Sequence, residues 1–224
     1  MNDSTERADH TFLFADLAGF TALTEAHGDE EAAELAADFC DFVRKLLPRY
    51  GAEEIKTIGD ALMLRCDDPD AAVELGLRIV DEVGARSRFP VVRVGMHTGP
   101  AIERHGDWFG NAVNLAARVS GAAGGDEVLL TGATREAASG LAGIELRPHG
   151  AQRFKNLKHV VAVYRAVHEG QQSEGLPIDP VCRMTVDPGT SAGSLTYRNR
   201  LHYFCSLTCV EAFAASPDDY VGSE

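Results

Sequence analysis

The sequence predicts an α+β protein in two parts: a larger unit in which strand and helix patterns alternate, and a small cysteine-bearing unit behind it. Three observations carry this. From residue 11 to residue 167, short apolar runs alternate with stretches of helical periodicity. HEGQQSEGLP (168–177) then interrupts the pattern with Gly, Gln, Ser and Pro and reads as a linker. Beyond it, three of the five cysteines, Cys182, Cys205 and Cys209, crowd into the last fifth of the 224 residues. The expected division is therefore 1–167, a linker at 168–177, and a second unit at 178–224.

Each element follows from its pattern. TFLFADL (11–17) is a short apolar run, a buried strand. Asp29 to Leu47 has acids in its first turn and apolar residues at Leu35, Phe39, Phe42, Val43 and Leu46, which is a helix with a well-formed start. EEIKTIGDALML (53–64) reads as two strands around a Gly59-Asp60 turn. Pro69 to Val83 is a helix with Val73, Leu77 and Val80 on one face. PVVRVGMHTG (90–99) is a strand, Gly110 to Val119 a helix, DEVLLT (126–131) a strand, and Ile144 to Val167 a pair of strands around a basic turn. This order resembles a ferredoxin-like sheet with helices on one face.

Composition narrows the function. Lys and Arg number 21 against 34 Asp and Glu, a net charge of -13, so binding to nucleic acid is not expected. No run approaches the ~18 apolar residues of a membrane span. MNDSTERADHTFLF has neither the basic start nor the apolar stretch of a signal peptide, so a cytoplasmic protein is expected. Cys40 and Cys66 lie within apolar patterns and read as buried thiols. The three-cysteine cluster, in a reducing compartment, points to metal rather than disulfides.

Several residues could carry chemistry. In FADLAGFT (14–21), Asp16 ends a strand beside a helix start, where a carboxylate can hold a divalent cation and free N–H groups can hold phosphate. Asp60 sits on the hairpin turn of a strand expected beside that of Asp16, and two such carboxylates could hold two metal ions. In DWFGNAVNLAARV (107–119), Asn114 and Arg118 are four apart and project from one helix face, an amide and a guanidinium suited to ribose and phosphoryl oxygens. RFKNLK (153–158) adds Arg153, Lys155 and Lys158. Each stretch alone also fits a plainer role: Asp16 a helix cap, Asp60 a turn former, Asn114 and Arg118 a solvated face, RFKNLK a solvated turn. Lys56, four residues before Asp60, could simply bridge to it across the hairpin.

Together FADLAGFT, KTIGDALM (56–63), DWFGNAVNLAARV and FKNLKHVVAVYRA (154–166) resemble, in order and spacing, the class III nucleotidyl cyclases. The resemblance implies that Asp16 and Asp60, with the backbone carbonyl of Leu17, bind two Mg²⁺ or Mn²⁺ ions. It implies that Lys56 and Asp107 read the purine, Asn114 positions the ribose, Arg118 stabilises the transition state, and Lys155 holds the triphosphate. It also implies a head-to-tail homodimer, with the metal aspartates from one chain and the remaining groups from the other. Adenine offers an amino donor at N6 and an acceptor at N1, which suits Asp107 and Lys56. Guanine reverses those edges, and each mismatched buried group costs on the order of 1–3 kcal/mol, so ATP is favoured over GTP.

IDPVCRMTVDP (178–188), LTYRNRLHYFCSLTCVEAF (195–213) and SPDDY (216–220) resemble a YHS domain, a treble-clef-like metal-binding unit. Cys205 and Cys209 lie one helical turn apart, and with Cys182 they could hold Zn²⁺, or Cu⁺ in trigonal form. His202 and Asp179 are candidates for a fourth ligand, although His202 also fits a structural role and the cysteines could be core residues. Arg183 stands where the family usually has glycine. The expected protein is an adenylyl cyclase tuned by a metal- or redox-sensing unit. The alternative is a non-catalytic metal sensor or chaperone whose cyclase-like part only binds nucleotide.

Overall fold

The computed structural model describes residues 8–155, 157, 159–170 and 175–221. Four of the ten residues expected as a linker, 171–174, and Lys158 of the basic turn lie outside the described residues.

The first unit is built on β1 (Asp9–Leu17), α1 (Phe20–His27), α2 (Asp29–Leu46), β2 (Ala52–Ile58), β3 (Ala61–Cys66), α3 (Pro69–Gly84) and β4 (Val92–Pro100). It continues through β5 (Ile102–Arg104), β6 (Asp107–Phe109), α4 (Asn111–Ala122), β7 (Glu127–Thr131), α5 (Gly132–Ala137), β8 (Ile144–Gln152) and β9 (Val161–His168). Seven strands form one sheet in the order β2-β3-β1-β4-β7-β9-β8, with β4 and β7 parallel and every other neighbouring pair antiparallel.

The helices do not share one face, as the element order had suggested. Leu13, Ala15 and Leu17 of β1 pack with Phe39 and Val43 of α2 and Val73, Leu77 and Val80 of α3. Phe12 and Phe14 point the other way, onto Ala112, Val113 and Ala116 of α4. Alternate residues of a strand face opposite sides, so a strand covered on both faces must be apolar throughout. That is why TFLFADL shows no polar alternation. Two short elements carried no readable pattern: the β5–β6 hairpin, with three residues per strand, and α5, with six. Among the described residues no helix is long and apolar enough to cross a membrane.

The second unit comprises β10 (Gly193–Tyr197), β11 (Arg200–Phe204), α6 (Leu207–Ala215) and α7 (Pro217–Tyr220). It is fused to the first. Arg88 N donates to Thr185 O at 2.8 Å, Thr185 N to Phe89 O at 2.9 Å, and Val91 N to Arg183 O at 3.2 Å, a short antiparallel ladder between the units. Leu23 of α1 and Ala32 of α2 share one buried cluster with Val181, Cys182, Phe204 and Phe213.

Candidate active site and metal centre

Asp16 lies on the α4 side of the sheet, since it continues the alternation of Phe12 and Phe14. Its Cα pairs with Ala61 on one side and Arg93 on the other, so Asp60 in the adjoining turn comes to its flank. Gly59, at φ 63°, permits that turn. Burial and the Asp16 charge together push the Asp60 carboxyl up to about 6. Two acids that oppose each other in this way form a site short of positive charge, which fits divalent cations. Leu17 follows with its side chain buried at 1% exposure, so its backbone is its polar contribution.

The cation that partly neutralises this pair was not singled out from the sequence. Arg93 Nε and Nη2 both donate to Asp16 Oδ2, Nε at 2.8 Å. The signal was present: a charge within the apolar strand PVVRVGMHTG needs a partner.

Lys56 reaches away from Asp60. Its Nζ lies 2.6 Å from Asp107 Oδ2, at the start of β6. The Lys56 ammonium, then the Trp108 N–H donating to Oδ1 at 2.8 Å, hold the Asp107 carboxyl below its usual range. The missed β5–β6 hairpin is what carries Asp107 to the edge strand β2.

Asn114 and Arg118 lie one turn apart on α4, and among the described residues neither side chain forms a hydrogen bond or ion pair. Asn114 is exposed and Arg118 half-buried. Lys155 is exposed in the turn after β8, at the sheet edge opposite β2. Its neighbour Phe154 packs with Leu115 and Val119, the residues that follow Asn114 and Arg118, and so draws the basic turn over α4. The chain thus holds two groupings: Asp16 with Asp60 and Arg93, and Lys56 with Asp107. Asn114, Arg118 and Lys155 are gathered on α4 and the turn beside it.

In the second unit, Cys182 Sγ is 3.4 Å from Cys205 Sγ, which is 3.8 Å from Cys209 Sγ. Hydrogen bonding from the Cys182 and Cys205 thiols lowers the pKa of Cys209. His27, from α1, completes a group whose ligand atoms all lie within 4.8 Å of one another. Neither His202 nor Asp179 belongs to that group. Asp179 is fully buried and accepts from Val181 N through Oδ1 and from Cys205 N through Oδ2, each at 2.9 Å, so its oxygens shape the loop instead. The His202 ring lies tilted against Phe213, with ring centroids 5.1 Å apart. Arg183 occupies φ 65°, the left-handed region that favours glycine.

Fold and site together describe an α+β domain with two opposed carboxylates, joined to a small unit in which three thiols and an imidazole converge. The family of adenylate and guanylate cyclase catalytic domains matches residues 3–165, and the YHS domain matches residues 178–224. The chain belongs to the class III cyclase family and carries a YHS domain behind the catalytic domain. Among relatives, it is 39% identical over 160 residues to the pH-sensitive adenylate cyclase MT1302 of Mycobacterium tuberculosis, covering 69% of this chain and 40% of that protein. It is 39% identical over 120 residues to an adenylate cyclase of Streptomyces griseus, covering 54% of this chain and 30% of that one. The match therefore spans less than half of either relative's length. A solved adenylate cyclase of Trypanosoma brucei in its monomeric state shares the fold, with a TM-score of 0.68 at 24% identity over 80% of this chain and 96% of that one.

Proposed function

We propose that this protein is an adenylyl cyclase that converts ATP to 3′,5′-cyclic AMP and pyrophosphate at sites shared between two head-to-tail copies of the chain. The observation that carries this reading is the parting of the hairpin: Lys56 is committed to Asp107 at 2.6 Å, whereas Asp60, four residues on, opposes Asp16. One chain therefore holds a purine-reading pair and a metal-holding pair as separate groupings, which suits two half-sites completed by a partner.

In this reading Asp16, Asp60 and the Leu17 carbonyl hold two Mg²⁺ or Mn²⁺ ions. When bound, the ions acidify the ribose 3′-hydroxyl and neutralise the triphosphate. The 3′-oxygen attacks the α-phosphorus in line, its proton departs, and the bond to pyrophosphate breaks. Asp107 accepts from the adenine amino group and Lys56 donates to the ring nitrogen. Asn114 orients the ribose so that the 3′-oxygen faces phosphorus. Arg118, unpaired among the described residues, is available to the charge that develops on the phosphoryl oxygens, and Lys155 to the leaving pyrophosphate. Arg93 holds Asp16 in place before metal arrives.

Cys182, Cys205 and Cys209 form a soft-metal site in the YHS domain that tunes the catalytic domain to which it is fused. A reducing, cytoplasmic setting belongs to the same reading, since all five cysteines are free thiols.

The test is purified full-length chain with Mg²⁺ or Mn²⁺ and either ATP or GTP, with the cyclic product identified by mass. Cyclic AMP from ATP, in preference to cyclic GMP from GTP, is expected. No cyclic product with either metal, or a preference for GTP, contradicts the assignment.

A further inference from the structure

We propose that His27, the last residue of α1 in the catalytic domain, is the fourth ligand of the metal ion held by Cys182, Cys205 and Cys209. The ion would then fasten the YHS domain to the helix that follows the metal-binding Asp16. The inference rests on the three-thiolate reading above and adds a ligand from outside that domain.

The spacing fits a tetrahedral ion. With metal–sulfur bonds of about 2.3 Å and a metal–nitrogen bond of about 2.0–2.1 Å, tetrahedral geometry separates two sulfurs by about 3.8 Å and a sulfur from nitrogen by about 3.6 Å. The sulfurs here stand 3.4 and 3.8 Å apart along the Cys182–Cys205–Cys209 series, and His27 Nε2 is 3.4 Å from Cys205 Sγ. These are not disulfide distances, since bonded sulfurs lie about 2.0 Å apart. Ligand identity selects among metals: three thiolates alone suit trigonal Cu⁺, whereas three thiolates and an imidazole suit four-coordinate Zn²⁺.

The imidazole is oriented for this task. Its Nδ1 lies 3.4 Å from Glu31 Oε1, in the first turn of α2, and its side chain is only 6% exposed. A carboxylate beside one ring nitrogen favours the tautomer that presents the other to a metal, the usual support for a ligating histidine. Asp179 spends its oxygens on two backbone N–H groups, and His202 lies outside the group of ligand atoms within 4.8 Å of one another.

The site has a mechanical consequence for α1. At the helix start, Gly19 sits at φ 85° with so little room that a Cβ there would come within 2.6 Å of Arg183 Cγ. Ala18 N donates to Val91 O at 2.8 Å, and Val91 N to Arg183 O at 3.2 Å. The YHS domain thus grips both ends of α1: the start through Arg183 and the end through the ion. Metal occupancy thus bears on the end of β1, where Asp16 and Leu17 lie.

The experiment compares full-length wild type, His27→Ala, His27→Cys and Cys205→Ser. Zn²⁺ stoichiometry and affinity are read by competition with a chromophoric chelator, and coordination from the absorption of Co²⁺-substituted protein. Wild type should bind one ion with tetrahedral cobalt bands. His27→Ala should bind at least about tenfold more weakly, with altered bands. His27→Cys should recover tight binding with a stronger sulfur-to-cobalt charge-transfer band, which also guards against a folding defect in the alanine variant. Equal affinity and an unchanged spectrum in His27→Ala would overturn the role of His27 while leaving the thiolates as ligands. If wild type binds no ion in this site, or Cys205→Ser binds as wild type does, the three-thiolate reading falls and takes this inference with it.

Discussion

Lys56 and Asp107 are 51 residues apart in the chain and meet at 2.6 Å, with the lysine on edge strand β2 and the aspartate at the start of the short hairpin strand β6. The pair is half-exposed, at 41% and 30%, so it is open to a ligand as well as to its partner. A donor and an acceptor side by side match one face of adenine and oppose the corresponding face of guanine.

Purine choice should follow this pair. Replacing it with an acid and a small polar residue, Lys56→Glu with Asp107→Ser, should lower kcat/KM for ATP by about 5- to 160-fold, at roughly 1–3 kcal/mol in total for the half-exposed mismatched groups. The GTP/ATP ratio of kcat/KM should rise. Steady-state kinetics with both nucleotides checks this, and an unchanged ratio would remove Lys56 and Asp107 from purine recognition.

Asp60 should set the acid limb of the pH dependence. Its carboxyl, raised to about 6 chiefly by burial and then by Asp16, is ionised above that value and protonated below it. A protonated acid is a poor metal ligand, so cyclase activity at limiting metal should fall as pH drops through about 6. The nearby Arg93 charge favours the ionised form, and Arg93→Met should move that acid limb to higher pH.

The same shift has a cost in stability. Because the folded value exceeds the unfolded one, the penalty is absent below the unfolded value of 3.8 and fully present above about 6. Discounted for solvent screening, it is about 1 kcal/mol. Asp60→Asn without metal should therefore raise Tm at pH 7.5 but not at pH 3.5, while abolishing turnover. Thermal unfolding at the two pH values decides it.

Gly95 is the point at which α4 rests on the sheet. A Cβ there would stand 1.9 Å from Ser120 N and 2.5 Å from Val119 C, both helix backbone. Gly95→Ala must push α4, and with it Asn114 and Arg118, off β4. A loss of about 1–3 kcal/mol in denaturant unfolding and, if Asn114 and Arg118 act as proposed, a severe drop in kcat are expected, because displaced groups lose their geometry. Wild-type kcat in this variant would show that α4 is not the platform for the reaction.

The long elements were legible because burial leaves a period. The apolar faces of α2 and α3 and the unbroken run of β1 all carry their environment in their spelling. The layer arrangement was not, since β1 looks the same whether its second face meets α4 or another sheet. The β5–β6 hairpin is too short to show a period, yet it delivers Asp107. Asp16 and Asp60 could be paired from neighbouring strands, and Cys205 with Cys209 from their spacing. Arg93 was visible as a charge in an apolar strand but had no assigned partner. His27 was invisible for a different reason: it lies 178 residues from Cys205, and only docking of the YHS domain on α1 brings them together.

The proposed sharing of each site between two chains is tested most directly by mixing inactive variants. Asp60→Ala removes the proposed metal ligand and Arg118→Ala the proposed transition-state guanidinium, so each alone should be inactive. Equal mixing with random exchange makes half the dimers mixed, each with one intact site, so about a quarter of wild-type cyclase activity should return. If the mixture stays as inactive as its components while exchange of subunits is verified, both residues act within one chain and the shared site is wrong.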